Sequence, residues 1–519
     1  MNRFKPLIML ATAALLLSGC SSKDTMVKTT TMVENTKKTM MPMSRNVVQL
    51  KDATDPTIAF RIAFLVGSQN DPAGKEGIAA ITATMLTEGA TQNHTYEEIL
   101  AKLYPMAAGI SESVDKEMTV FSGRTHKDNL DEYYALFKEV LLQPAFAQED
   151  FDRVKSDYLN YVQKALRYSQ DEELGKEVLY EFIFKGTPYE HNEEGYVKSL
   201  QALTLQDVKD FYAANYTQSN MLLGLGGGYS ASFLKKVEAD FKALPEGSKA
   251  MKAKPQVTAI DGMHVKIVEK NANSTAISFG FPIDVQRGSR EFYALDIARS
   301  WLGEHRNSFS HLYEVIREIR GLNYGDYAYI EHFPNGGRRS FPQANVARSQ
   351  QVFQIWIRPV PNEARVFAFR AALRELQMLV DNGMSEEDFT LTKKFLKSYN
   401  LHYATTNMKR LADKIDDRFY GIKEGHWKRY SKSLDTITRA EVNAALKKHL
   451  NYKNLKAVFI TRDAEDLKKT LTENLPSPIE YSSDKPAEVL EEDKEIINYP
   501  LMVKPDNVVI QPVEAIFEG

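Results

Sequence analysis

Histidine is the residue to look for first when searching for metal chemistry, and this 519-residue chain has ten. None of them stands in H-x-x-E-H, H-E-x-x-H or H-x-H, the spacings that bring two imidazoles to one ion. His305 and His311 are six residues apart, which places them on different faces of a helix. There is no G-x-S-x-G, and the single cysteine, Cys20, falls at the end of the leader. Gly224-Leu-Gly-Gly-Gly228 does not spell G-x-G-x-x-G and reads as a turn at a domain edge. Asn335-Gly-Gly-Arg338 reads as a hairpin loop. The segment 312–325 holds the residues of most interest. Leu312, Val315, Ile316 and Ile319 form an apolar helical stripe with Arg317 off it, and Gly321 is placed to cap the helix. Alternation over 322–331 predicts a strand with Tyr324 on the same face as Leu322 and Ala328. On the residues alone, Arg317 pairs with a surface carboxylate and Tyr324 fills core.

The ends and the composition set the context. Arg3 and Lys5 precede an apolar stretch, 7–17, that is too short to span a bilayer. Leu17-Ser-Gly-Cys20 then resembles a bacterial lipobox, with residues 1–19 as signal peptide and Cys20 as the lipidated first residue of the mature chain. Several acyl chains on one residue give stable anchoring. Ser21 at the next position points to the outer membrane, so the chain is expected on the periplasmic side of the envelope. A plain signal peptide with a chance Cys is the alternative. Residues 20–45 read as anchor and flexible tether, rich in Thr, Lys, Met and Ser. With no second cysteine the mature chain forms no internal disulfide, and 43% hydrophobic residues must supply stability through burial. A net charge of −3 gives no nucleic-acid footprint.

The body is written twice. Asn46-Val-Val-Gln-Leu-Lys followed by Ile58-Ala-Phe-Arg-Ile-Ala-Phe matches His264-Val-Lys-Ile-Val-Glu followed by Ala276-Ile-Ser-Phe-Gly-Phe. Phe146-Ala-Gln-Glu-Asp-Phe151 matches Met384-Ser-Glu-Glu-Asp-Phe389, and Leu203-Thr-Leu-Gln-Asp-Val208 matches Ile437-Thr-Arg-Ala-Glu-Val442. Ile58, Phe60, Ile62 and Phe64 alternate as in a half-buried strand. The grouping of strands and helices predicts an α+β fold: two homologous domains, each a largely antiparallel sheet with helices on one face. The boundaries are 46–244, a linker at 245–262, and 263–475. Residues 476–519 form an acidic, proline-containing tail. Its apolar pieces suit an extended arm on the body, with disorder an alternative for the acidic part.

Residues 77–89, Gly-Ile-Ala-Ala-Ile-Thr-Ala-Thr-Met-Leu-Thr-Glu-Gly, resemble the helix that carries H-x-x-E-H in the pitrilysin/insulinase metallopeptidases, the inverzincins. That stretch reads roughly G-L-A-H-x-x-E-H-M-L-x-x-G. Laid onto it, Ala80 and Thr84 stand at the two zinc-binding His and Ala83 at the general-base Glu. The third-ligand Glu falls at Asn160 or Tyr161. The family resemblance spans about residues 46–470 and implies two pitrilysin-like domains. It also implies no zinc in this chain and no peptide cleavage by it alone. Leu312-Tyr-Glu-Val-Ile-Arg-Glu-Ile-Arg-Gly-Leu-Asn-Tyr-Gly325 resembles the family's L-x-x-x-x-R-E-x-R-G-L-x-Y. Arg317 and Tyr324 match the residues that, in active members, reach the substrate at the zinc. The Tyr hydroxyl donates to the oxyanion and the Arg fixes a peptide carbonyl.

Some family members divide the zinc motif and the Arg/Tyr pair between two subunits, the mitochondrial processing peptidase being one split into a zinc-bearing and a metal-less chain. By that resemblance the chain is expected to be the non-catalytic, substrate-positioning subunit of a periplasmic heterodimeric zinc peptidase. The zinc would lie in a pitrilysin-family partner subunit, a peptide would be the substrate, and the membrane would be reached through the lipid anchor. A lipoprotein of the same fold that only binds peptides, or serves structure alone, is the alternative.

Overall fold

The computed structural model describes residues 46–250, 254–333 and 341–519. Cys20, its leader and tether, and the loop Asn335–Arg338 lie outside the described residues.

Two sheets are built on one plan. The first holds β1 (Val47–Lys51), β2 (Thr57–Phe64), β3 (Ile110–Val114), β4 (Thr119–His126) and β5 (Met221–Gly227), ordered β1-β5-β2-β4-β3. The second holds β6 (Met263–Glu269), β7 (Ser274–Ile283), β8 (Asp326–Tyr329), β9 (Gln351–Pro361), β10 (Leu455–Thr461) and β11 (Val503–Pro512), ordered β11-β6-β10-β7-β9-β8. Without β11, the second order repeats the first strand for strand. Pairing is antiparallel except at β1–β5, β6–β10 and β6–β11. The chain thus forms two α+β halves of one plan, as the repeat predicts.

The helices do not stay on one face of their own sheet. The Asp171–Phe184 helix of the first half packs on β7 and β10 of the second sheet. The Asn407–Tyr420 helix of the second half packs on β1, β2 and β5 of the first. Each sheet is therefore covered on both faces, which corrects the half-buried reading of β2: Ile58, Ala59, Phe60, Ile62, Ala63 and Phe64 are all buried.

This exchange also explains the glycine run. Gly224 and Gly226 lie inside β5, not at a turn. A Cβ on Gly224 would stand 2.6 Å from the Arg61 carbonyl oxygen and 3.2 Å from Ile415 Cδ1, so the missing side chain admits the crossing helix.

The 476–519 stretch is folded. Its acidic part forms the Ala487–Ile497 helix, against which Arg320 donates to Asp493 at 2.9 Å and to Glu492 at 2.7 Å. After β11 the chain crosses to the first half. There the Val197 N–H donates to the Phe517 carbonyl at 2.9 Å and the Lys198 N–H to the Glu518 carbonyl at 3.1 Å. Ile516 and Phe517 are buried in the first half's core. The last strand and its extension thus fasten one half to the other.

Candidate functional site

The Ile78–Thr87 helix is core throughout: all ten residues are buried. It starts at Gly77, whose N–H, with that of Ala79, donates to the Asp71 carboxylate at 2.7 and 3.1 Å. A carboxylate there satisfies free N–H groups at the positive end of the helix. Ala80 and Ala83 present only methyl groups, at 4% and 0% exposure. Thr84 has a hydroxyl, already shared with the Tyr158 hydroxyl at 2.8 Å and the Glu112 carboxylate at 3.2 Å. Thr87 also donates to Glu112, at 2.5 Å. The hydroxyls of Thr84, Thr87 and Tyr158 and the Glu112 carboxylate thus satisfy one another beside this helix. Asn160 is exposed and Tyr161 opens a π-helical stretch, Tyr161–Ser169; neither supplies a carboxylate. Among the described residues, no group of three or more His, Cys, Asp or Glu is placed to hold a metal ion.

Arg317 and Tyr324 are brought together at the surface. Residues Tyr313–Glu318 form a π-helical turn with Leu312, Val315 and Ile316 buried beneath it. Gly321, at φ 73°, closes it: its N–H donates to the Arg317 carbonyl at 2.8 Å, and the Leu322 N–H to the Ile316 carbonyl at 3.2 Å. The first bond is that of an αL cap, available at low cost to glycine. The strand begins only at Asp326, so Tyr324 sits in the preceding turn, 76% exposed, and does not fill core. The turn is set by the Gly325 N–H donating to Asn323 Oδ1 at 3.1 Å and by Asn323 Nδ2 donating to Asp326 at 2.8 Å. The Arg317 guanidinium carbon lies 5.8 Å from the Tyr324 ring centre and 6.0 Å from that of Tyr313. Its carboxylate contact is loose, 4.0 Å to Glu318. The cation is held between two rings and remains open to a ligand.

Sequence reasoning missed the polar joint between the halves. Arg348, 1% exposed, donates to both Asp115 oxygens at 2.7 and 3.0 Å and to Glu193 at 3.0 Å. Lys116 pairs with Glu193 at 3.2 Å, and the Ser349 hydroxyl donates to Glu117 at 2.8 Å. His332 lies 3.4 Å from Asp115; burial, then the Arg348 charge, holds its pKa well below the usual value. Burial and then the Glu193 charge push Glu194 up to about 7 and raise Glu177 as well. Nothing local in Asp115-Lys116-Glu117 marks its distant partners.

The family model described as insulinase (peptidase family M16) matches residues 46–194, and that described as the peptidase M16 inactive domain matches residues 202–396. A Helicobacter pylori protein called a non-peptidase homolog, YmxG, is 22% identical over 411 residues, covering 78% of this chain and 89% of that protein. The crystal structure of a peptidase M16 inactive domain from Pseudomonas fluorescens superposes with a TM-score of 0.70 at 22% identity, covering 80% of this chain and 95% of that one. A protease from Helicobacter pylori superposes with a TM-score of 0.67 at 17% identity, covering 80% and 96%. With both family models matched in order and the strand plan repeated, the chain belongs to the insulinase (M16) peptidase family.

Proposed function

We propose that this chain is the non-catalytic, substrate-positioning subunit of a heterodimeric zinc peptidase on the periplasmic side of the envelope, anchored through Cys20. A pitrilysin-family partner would supply the zinc, its ligands and the general base. This chain would supply Arg317 and Tyr324. The observation that carries the reading is the contrast between the two motifs. The zinc helix is sealed by Ala80, Ala83 and an already bonded Thr84, while Arg317 and Tyr324 are presented outward on a closed, well-backed turn. The Tyr324 hydroxyl has no hydrogen-bond partner among the described residues and is free to donate to a developing oxyanion. The Arg317 fork suits a peptide carbonyl or carboxylate.

The test is a reconstituted pair of this chain and its zinc-bearing partner, turning over a peptide. Tyr324→Phe removes one hydroxyl from an exposed ring, so assembly and folding stay unchanged. Loss of an oxyanion donor lowers kcat by ~10²–10³. Unchanged turnover at equal assembly would overturn the role given to Tyr324 and move the reading to a peptide-binding or structural lipoprotein. The name of the Helicobacter YmxG protein, a non-peptidase homolog, favours that second reading.

A further inference from the structure

We infer that the second half carries a peptide-binding pocket of its own, for an apolar or aromatic side chain followed by a basic residue. A cavity of about 400 Å³ opens between the Arg290–Gly303 helix, the Glu386–Tyr399 helix and the turn that joins the former to the Arg317 segment. That volume suits a side chain and its neighbour, not a whole cofactor. The walls include Trp301, stacked on His311 with ring centres 4.3 Å apart and planes 13° apart, and Phe395. His311 is fixed from behind by the Glu375 carboxylate at 2.6 Å.

Two further observations indicate a ligand. Phe309 and Leu391 line the cavity at 92% and 57% exposure. Phe309 is presented on a built turn, its N–H donating to Asn307 Oδ1 at 2.9 Å and that of Ser310 to the Asn307 carbonyl at 3.3 Å. The charge is one-sided: Glu304, Glu314 and Asp388 line the cavity with no Lys or Arg. Glu304 is neutralised by Arg299 at 2.8 Å, while Glu314 makes no ion pair among the described residues. An apolar floor with an acidic rim is complementary to an extended peptide with a hydrophobic residue next to a basic one. The pocket stands whether or not a zinc-bearing partner exists.

The experiment uses the full chain carrying 5-fluorotryptophan, without partner or zinc. Its three tryptophans give three ¹⁹F signals, and Trp301→Phe identifies the one of interest. Acetyl-Gly-Ser-Phe-Arg-Ser-Gly-amide should shift the Trp301 signal saturably and leave those of Trp356 and Trp427 in place. Replacing the peptide's Phe by Ser should abolish the shift, and replacing its Arg by Glu should weaken it. Phe309→Ser and Leu391→Ser, both at exposed positions, should each weaken binding by about tenfold, with unchanged signals in the absence of peptide. A Trp301 signal that does not move at millimolar peptide overturns the proposal. So does an equal response to the Ser control, or variants that bind as well as wild type.

Discussion

Arg348→Met tests whether the buried joint holds the two halves together. The arginine makes three charge-assisted bonds, 2.7 and 3.0 Å to Asp115 and 3.0 Å to Glu193. Its side chain is 2% exposed, and those of its partners are 6% and 16% exposed. Removing it strands the two carboxylates unequally. Glu193 keeps the Lys116 ammonium at 3.2 Å, whereas Asp115 keeps no cation, only the Lys116 backbone N–H at 2.7 Å and His332 at 3.4 Å, an imidazole held neutral in the intact joint. Stranding a buried partner typically costs ~3–5 kcal/mol, and Asp115 should dominate that cost. Asp115→Asn, added to Arg348→Met, should therefore recover ~1–3 kcal/mol, although Asp115→Asn alone destabilises the wild type. Urea unfolding of the four proteins at pH 7 measures both terms. A loss below about 1 kcal/mol, or a second substitution that only adds to the damage, would refute the assignment of the joint.

Three other outcomes are expected. Glu194 has a folded pKa of about 7, raised by burial and then by Glu193, against a reference of 4.5. Its contribution to stability is thus fully present below the unfolded value and is lost as pH rises through about 7. Glu194→Gln should stabilise the protein by ~1–3 kcal/mol at pH 8 and have little effect at pH 4, measured by urea midpoints at the two pH values. Phe517→Ala empties a site that is 2% exposed and should cost ~3–5 kcal/mol. It should also speed hydrogen exchange at Val197 and Lys198, whose amides hold the last residues. Cys20→Ala should leave an unacylated precursor or soluble form; membrane fractionation identical to wild type would show that another element anchors the chain.

The sheets could be read from the sequence because their strands are local and repeated. β1 and β2 return as β6 and β7 with the same spacing, and the two sheet orders then coincide. The exchange of helices was not readable, since an amphipathic stripe tells that a helix is buried but not against which sheet. Gly224 and Gly226 were the one available sign: glycines within an apolar run mark close approach of another element as well as turns. The acidic tail was ambiguous because its helix is fixed by Arg320 and Arg374, about 120–170 residues upstream, and not by local pattern. Tyr324 was read into a strand because 322–331 alternates, but Asn323 bonds to Gly325 and Asp326 and turns the chain before pairing begins.

That displacement of Tyr324 changes what its match to the family means. A motif residue that fills core is explained by packing, whatever else it does. The Ile78–Thr87 helix is of that kind: with all ten residues buried, the fold needs the helix even without metal chemistry. Tyr324 is 76% exposed, so its ring contributes little to burial, and the Arg317 side chain, 34% exposed, reaches the surface beside it. The fold would tolerate many residues at both places. An Arg and a Tyr in the family's spacing, displayed together on a turn closed by Gly321 and backed by the Arg320–Asp493 pair, are better explained by something outside the chain. The buried helix is thus accounted for by the architecture, while the proposed role of the exposed pair stands on the Tyr324→Phe test.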